Sequence, residues 1–233
     1  MKTLVMIAHP DLEDSQSHQF LLQSGQTLTN CDYLDLTKVY QTNGKFDCQY
    51  ELNRLRGYDR IVFQFQLFWY QAPSILKEWF DQVFEYQDNY AASQQLLTNK
   101  ELGIVVIAGA KESHYHRLGK FGVTMDDLLS PYVAFANYMH MRMLPYFSIN
   151  QFHFQSEEDK FQLLLAYITY LEKGQTHSLS ALQETLMDKL EKITEADVKF
   201  DTKDWVIFEQ LIQTMRFQAE EIEELYRISQ GEQ

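Results

Sequence analysis

The chain has 233 residues, 45% of them hydrophobic and 23% charged, with a formal net charge of −13. Such a profile describes a globular protein of one domain with an appendage rather than two full domains. A negative balance of this size excludes nucleic acid as a partner and disfavours an anionic membrane surface, because both need a basic face. Cys31 and Cys48 have neither metal-type nor secretory spacing and are expected to be reduced thiols. No apolar run approaches transmembrane length, and the opening MKTLVMIAH is too short for a secretion signal, so a cytoplasmic protein, not embedded in a membrane, is expected.

The first apolar run, Thr3 to Ala8, reads as a buried strand ended by His9-Pro10. A polar loop, Asp11 to Ser17, leads into a helix predicted to reach Leu28. Asp32 to Leu36 is a second strand, and Asp47 to Leu55 a helix with Gly57 placed to close it. Arg60 to Phe65 is the third strand. It runs into four large residues, Leu67, Phe68, Trp69 and Tyr70, and then into an amphipathic helix opened by Pro73. Residues 86–100 show no clear period and are expected to be loop with some helix. Leu102 to Ala108 is a fourth strand, Gly109 to Gly122 a loop, Met125 to Met139 a helix and Met143 to Phe147 the last strand. Strands apolar throughout, alternating with helices, predict an α/β fold with a parallel sheet covered on both faces.

The composition changes near Gly174, which divides the chain into residues 1–174 and an acidic helical extension, 175–233. The extension holds 13 acidic and 6 basic residues, more than half of the net charge. One helix carries Leu179, Leu182, Leu186, Leu190 and Ile193, with Ser180 and Gln183 placed for a capping box. A second repeats Trp205, Phe208, Ile212, Met215, Ala219, Ile222 and Tyr226 at steps of three and four. That seam suits packing on its own domain or a dimer contact.

Three loops follow three strands, and in an open doubly wound sheet all three reach one edge. The first brings His9, Ser15 and Ser17 to a helix N-terminus, where hydroxyls and free N–H groups suit a phosphate or simply cap the helix. In the second, Leu67 to Tyr70 cannot all point inward; core packing accounts for Phe68 and Trp69, and the remainder suits a planar ring system. The third combines small residues, which let backbone approach a ligand, with Tyr115 and His116, a proton donor and a titratable ring. His114 and His116 could pair on a metal, but no third ligand stands out, so no metal is expected.

Ala8-His9-Pro10 with Ser15, then FWYQAPSILKEWFDQVF, then AGAKESHYHRLG resemble the flavodoxin-like NAD(P)H:quinone oxidoreductases, the family of DT-diaphorase, bacterial quinone reductases and the ancillary subunits of potassium-efflux systems. The resemblance covers residues 1–172 and implies a flavodoxin-like doubly wound five-stranded parallel sheet of order 2-1-3-4-5. It implies a flavin held by His9, Ser15, Gln16, Ser17 and His18 at its phosphate, by Leu67, Phe68, Trp69 and Tyr70 along its ring, and by Ala108, Gly109, Ala110 and Lys111 at its polar edge. Tyr115 matches an aromatic position near the hydride-accepting site, which makes Tyr115 and His116 the candidate catalytic residues. The chain departs from the family's Thr-Gly-Gly, reading Ala108-Gly109-Ala110-Lys111, and carries Lys120 and Phe121 where relatives have a histidine.

The resemblance implies two-electron transfer from NAD(P)H through FMN, with FAD as the alternative, to a quinone-like acceptor by ping-pong kinetics in a homodimer. Two rivals stay open: an ancillary subunit that binds flavin or nucleotide with little turnover, and a relative that has lost flavin.

Overall fold

A computed structural model describes residues 1–26, 28–84, 90–176, 178–194 and 202–229, with the side chains of 202, 218–220 and 222–229 excepted. The chain divides into two units, Met1–Thr176 and His177–Gln233. The first is built on a parallel sheet of β1 (Thr3–Ala8), β2 (Cys31–Asp35), β3 (Arg60–Gln66) and β4 (Glu101–Ala108), in the order β2-β1-β3-β4. The fifth sheet position is shared by β5 (Arg142–Met143) and β6 (Phe147–Asn150), both parallel to β4. The flavodoxin-like order expected from the sequence is therefore present.

Side-chain alternation along each strand separates two cores. Leu4, Met6, Ile61, Phe63, Phe65, Ile104 and Val106 face α2 (Leu36–Asn43), α3 (Cys48–Arg56), α4 (Ser74–Phe84), α5 (Tyr90–Leu97) and α6 (Met125–Tyr138). Val5, Ile7, Val62, Val105 and Ile107 face α1 (Gln16–Gly25) and α7 (Glu157–Lys173). Buried Trp79 on α4 is satisfied by donating its indole N–H to Glu51 of α3 at 3.2 Å.

Several elements differ from the sequence reading. Helix α1 stops at Gly25, where the hydroxyl of Tyr33 occupies the space a Cβ would need. Asp35 ends β2 and caps α2 by accepting from the Lys38 N–H at 3.1 Å, so Leu36 opens a helix rather than closing a strand. Gly57 closes α3 with φ −77°, without a left-handed residue. Of the expected loop, 86–100, residues 90–97 form α5 and 98–100 are turn and loop, while 86–89 lie outside the described residues. Helix α7 is an addition to the sequence reading: Ser156 and Asp159 form its capping box and Gly174, with φ 70°, closes it.

The last strand is broken at Pro145, which has no N–H to donate. Leu144 N–H still donates to Leu102 O at 2.8 Å, and pairing resumes at Val105 with Phe147. Between these points the Ile104 N–H would face an empty ladder position. The hydroxyl of Tyr170, from α7, fills it: Ile104 N–H donates to Tyr170 Oη at 3.0 Å, and Tyr170 donates to Ile104 O at 3.4 Å. Gly103 leaves room, since a Cβ there would lie 2.6 Å from that hydroxyl. At the amino ends of the strands, Arg60 pairs with Glu101 at 2.5 Å and donates to the carbonyls of Tyr170 and Leu171 at 3.1 and 2.5 Å, which fastens the C-terminus of α7.

The second unit contains α8 (Leu179–Leu190) and α9 (Thr202–Ser229). Ser178, not Ser180, caps α8, accepting from Ala181 N–H at 3.2 Å. Leu179 is exposed, and the fully buried positions of α8 are Ala181, Thr185 and Met187, with Leu182, Leu186 and Leu190 half-buried. On α9, Trp205, Phe208, Ile212 and Met215 are half-buried; Ala219, Ile222 and Tyr226 lie outside the described side chains.

Tyr170→Phe leaves the Ile104 N–H unpaired and is expected to lower unfolding free energy by about 1–3 kcal/mol, read from urea denaturation. Gly103→Ala, by displacing the hydroxyl, is expected to fall in the same range.

Candidate functional site

The carboxyl ends of β1, β3 and β4 deliver three loops to one edge of the sheet. The first runs from His9 to the start of α1. Thr37 donates to His9 O at 2.6 Å and Asp11 N–H donates to His9 Nδ1 at 3.1 Å, which sets the histidine where β1 ends. Ser15 occupies the N-cap position of α1, yet its side chain makes no capping bond. Ser15 and Ser17 are buried, with their hydroxyl oxygens 3.5 Å apart, while Gln16 is exposed. The first turn of α1 holds no acidic residue. Free N–H groups and two hydroxyls at a helix N-terminus make an anion-binding arrangement.

His18, in the same turn, is fully buried, and its ring lies 4.9 Å from that of His9. Its Nδ1 is 3.0 Å from the Gln64 amide nitrogen, whereas Nε2 has no hydrogen-bond partner. Burial, and secondarily the adjacent His9, lowers its pKa from 6.5 to about 3.

The second loop is a two-residue hairpin turn. Phe68 and Gln71 exchange backbone bonds at 2.9 and 3.1 Å, and the central pair, Trp69 and Tyr70, has φ of 51° and 65°. Positive φ at both positions normally selects Asn-Gly, and bulky residues there store roughly 1–3 kcal/mol each. Trp69 is 92% exposed, which corrects the expectation that core packing would hold it. Phe68 and Tyr70 are partly exposed, at 38% and 40%, and of the four only Leu67 packs on the core. The segment thus presents three aromatic side chains outward on a strained backbone.

The third loop leaves β4 at Ala108, whose carbonyl accepts from Gln151 N–H at 2.9 Å; Asn150 donates to Ala110 O at 3.0 Å. Among the described residues Ala110 is not one of those with positive φ, so its Cβ introduces no left-handed strain. Gly109 and Lys111 are exposed. Tyr115 is buried, which raises its hydroxyl pKa, with nearby Tyr70 contributing. His116 is exposed, and His114 is half-buried against Phe121. The ring of Phe121 meets Tyr70 at 5.3 Å and Tyr115 at 5.1 Å, joining the second loop to the third. That bridging role was not visible in the sequence, nor were those of Gln64, Asn150 and Gln151; an amide inside an apolar strand was the one available signal for Gln64. Beside the second loop an apolar groove of about 410 Å³ opens between Gln71, Pro73, Phe80, Tyr132 and Phe135. Among the described residues no group of three or more His, Cys, Asp or Glu side chains could hold a metal, and no helix is long and apolar enough to cross a membrane.

Residues 1–173 match the family model described as flavodoxin-like fold. The chain belongs to that family. It is 35% identical over 161 residues to the uncharacterized NAD(P)H oxidoreductase YrkL of Bacillus subtilis, a match covering 69% of this chain and 92% of the relative. Among solved structures, it resembles an NADPH-quinone reductase from P. pentosaceus at 32% identity and TM-score 0.66, covering 73% of this chain and 98% of that one. It also resembles general stress protein 14 from Treponema denticola, determined in complex with FMN, at 26% identity and TM-score 0.66, covering 75% and 100%. The matched region of the family model ends where α7 ends, before α8 and α9.

Two measurements test this geometry. Folding keeps His18 neutral, whereas the unfolded chain protonates it near pH 6.5. Stability is therefore fully present above 6.5 and falls as pH drops toward 3, by roughly 1.4 kcal/mol per unit. Between pH 7 and pH 5, urea denaturation should show the wild type losing about 2 kcal/mol more than His18→Gln. Separately, Trp69→Asn, which accepts the left-handed backbone, is expected to raise unfolding free energy by about 0.5–1 kcal/mol, read from thermal melts.

Proposed function

We propose that the chain is a flavin-dependent NAD(P)H oxidoreductase that passes two electrons from NAD(P)H to a quinone-like acceptor. The observation that supports it most is the donor set at the start of α1: two buried hydroxyls, an uncapped helix N-terminus and a buried His18 Nε2 without a partner. A phosphate fits these groups, and the outward aromatic face of Phe68, Trp69 and Tyr70 suits a flat ring system. FMN is favoured over FAD, in keeping with the complex formed by general stress protein 14 of T. denticola.

His9, Ser15, Ser17 and His18, with the backbone at Gln16, would hold the phosphate. Leu67 to Tyr70 would wall the ring, and Ala108 to Lys111 would meet its polar edge. Bound flavin supplies reversible two-electron hydride chemistry, which no side chain of this protein can perform. The chain's own contribution is position and electrostatics. Trp69 and Tyr70 exclude water from one side of the slot. Tyr115, kept protonated by burial, offers its O–H to charge developing on the acceptor, and His116 stands beside it. Lys111 places a cation where the reduced ring would carry negative charge. One slot serving donor and acceptor in turn requires ping-pong kinetics. Assembly as a homodimer in the cytoplasm belongs to the same proposal.

The test is flavin uptake followed by turnover. Purified protein incubated with FMN should retain a yellow chromophore, bleach anaerobically with NADH or NADPH, and recover colour on adding a benzoquinone. Parallel double-reciprocal plots are expected. Protein that stays colourless with both FMN and FAD overturns the reading; intersecting plots overturn the single slot.

A further inference from the structure

A line of polar side chains crosses the α1/α7 face of the sheet, in a layer otherwise made of Val5, Ile7, Val62 and Val105. Tyr33 of β2 lies 3.1 Å from Tyr167 of α7, hydroxyl to hydroxyl. Tyr167 donates to Gln64 Oε1 at 2.7 Å, and the Gln64 amide nitrogen faces His18 Nδ1 at 3.0 Å. Tyr167, Gln64 and His18 are each fully buried. No residue of this line touches the aromatic loop or the Tyr115 loop through any bond described above.

The polarity of the line follows from donor and acceptor capacity. An amide oxygen only accepts and an amide NH₂ only donates. Once Tyr167 donates to Oε1, the amide nitrogen is turned toward His18, and Nδ1 must accept. The imidazole proton then sits on Nε2, at the ring edge remote from Gln64 and in the first turn of α1. That N–H has no partner, and an unsatisfied buried donor costs about 1–3 kcal/mol. The hydroxyls of Ser15 and Ser17 and the uncapped end of α1 belong to the same turn, all of them donors able to serve an anion. Two side chains distant from the ligand therefore decide which nitrogen of His18 donates.

We infer that Gln64 and Tyr167 are positioning residues that lock His18 as the neutral Nε2–H tautomer, and that this N–H donates to the phosphate of the flavin. The inference rests on the flavin reading and deepens it. Its consequence is that phosphate recognition here depends on an oriented neutral donor rather than on a cation. Burial agrees with that, since it disfavours the imidazolium.

The test compares FMN with riboflavin, which lacks the phosphate, using flavin fluorescence quenching for affinity and ¹⁵N-labelled histidine for tautomer state. In flavin-free wild type, long-range ¹H–¹⁵N correlation should show His18 neutral with the proton on Nε2. The FMN-over-riboflavin preference should fall about tenfold or more in His18→Leu, and severalfold in Tyr167→Phe, which keeps the ring and removes only the hydroxyl. His18→Gln, which restores an N–H near the Nε2 position, should recover much of the preference. Tyr167→Phe should also admit the Nδ1–H form, a change that loss of packing alone would not produce. An Nδ1–H or doubly protonated His18 in the wild type overturns the inference, as does an unchanged preference in either His18→Leu or Tyr167→Phe. Wild type that binds neither FMN nor riboflavin overturns the flavin reading and the inference together. Wild type that binds both, with the preference unmoved, overturns the inference alone.

Discussion

A parallel sheet tolerates no unpaired peptide in its middle, and this chain places a proline opposite one. Tyr170 resolves the conflict by lending a side-chain hydroxyl to both groups of Ile104. The arrangement makes α7 part of the sheet's hydrogen bonding rather than a cover laid upon it. Arg60 holds the end of the same helix through Tyr170 and Leu171, and Tyr167 attaches it to Gln64. Burying Arg60 and Glu101 together is sustainable because the guanidinium also satisfies two helix carbonyls, so neither charge is left without partners. Three polar attachments along one helix thus fix its rotation, and with it the position of Gln64 relative to α1.

The functional edge uses a different balance. Strand ends and caps hold each loop where it leaves the sheet, while the loops' own residues are left unsatisfied or strained. Ser15 sits at a cap without capping, His18 presents a donor to nothing, and Trp69 and Tyr70 adopt a backbone that favours glycine or asparagine. Each departure is affordable because a rigid neighbour over-determines it. Phe121 then ties the strained turn to the buried Tyr115, so the second and third loops form one continuous surface.

The strands were legible because residues such as Ile61 to Phe63 and Ile104 to Ile107 are apolar without alternation, which a sheet covered on both faces requires, while their order followed only from the family resemblance. The loops were legible as positions, since strand ends determine them. What lay beyond the sequence was long-range. Nothing near Pro145 announces that Tyr170 will replace the missing strand bond, and nothing near His18 announces Gln64, 46 residues away. Helix α2 was hidden because Asp35 serves both as the last strand residue and as a cap. The leucine stripe of α8 holds in part: Leu182, Leu186, Leu190 and Ile193 are half-buried, whereas Leu179 is exposed, because regular spacing marks a face without saying how far it is covered. Ala110 stands where the family pattern has glycine, and its backbone asks nothing that alanine cannot supply.

The closure of β4 by Tyr170 also bears on how the chain is made. During synthesis the sheet can assemble through β6, but the Ile104 peptide stays open until α7 emerges, near residue 173. A chain cut short before α7 would therefore carry an open peptide in the middle of its sheet.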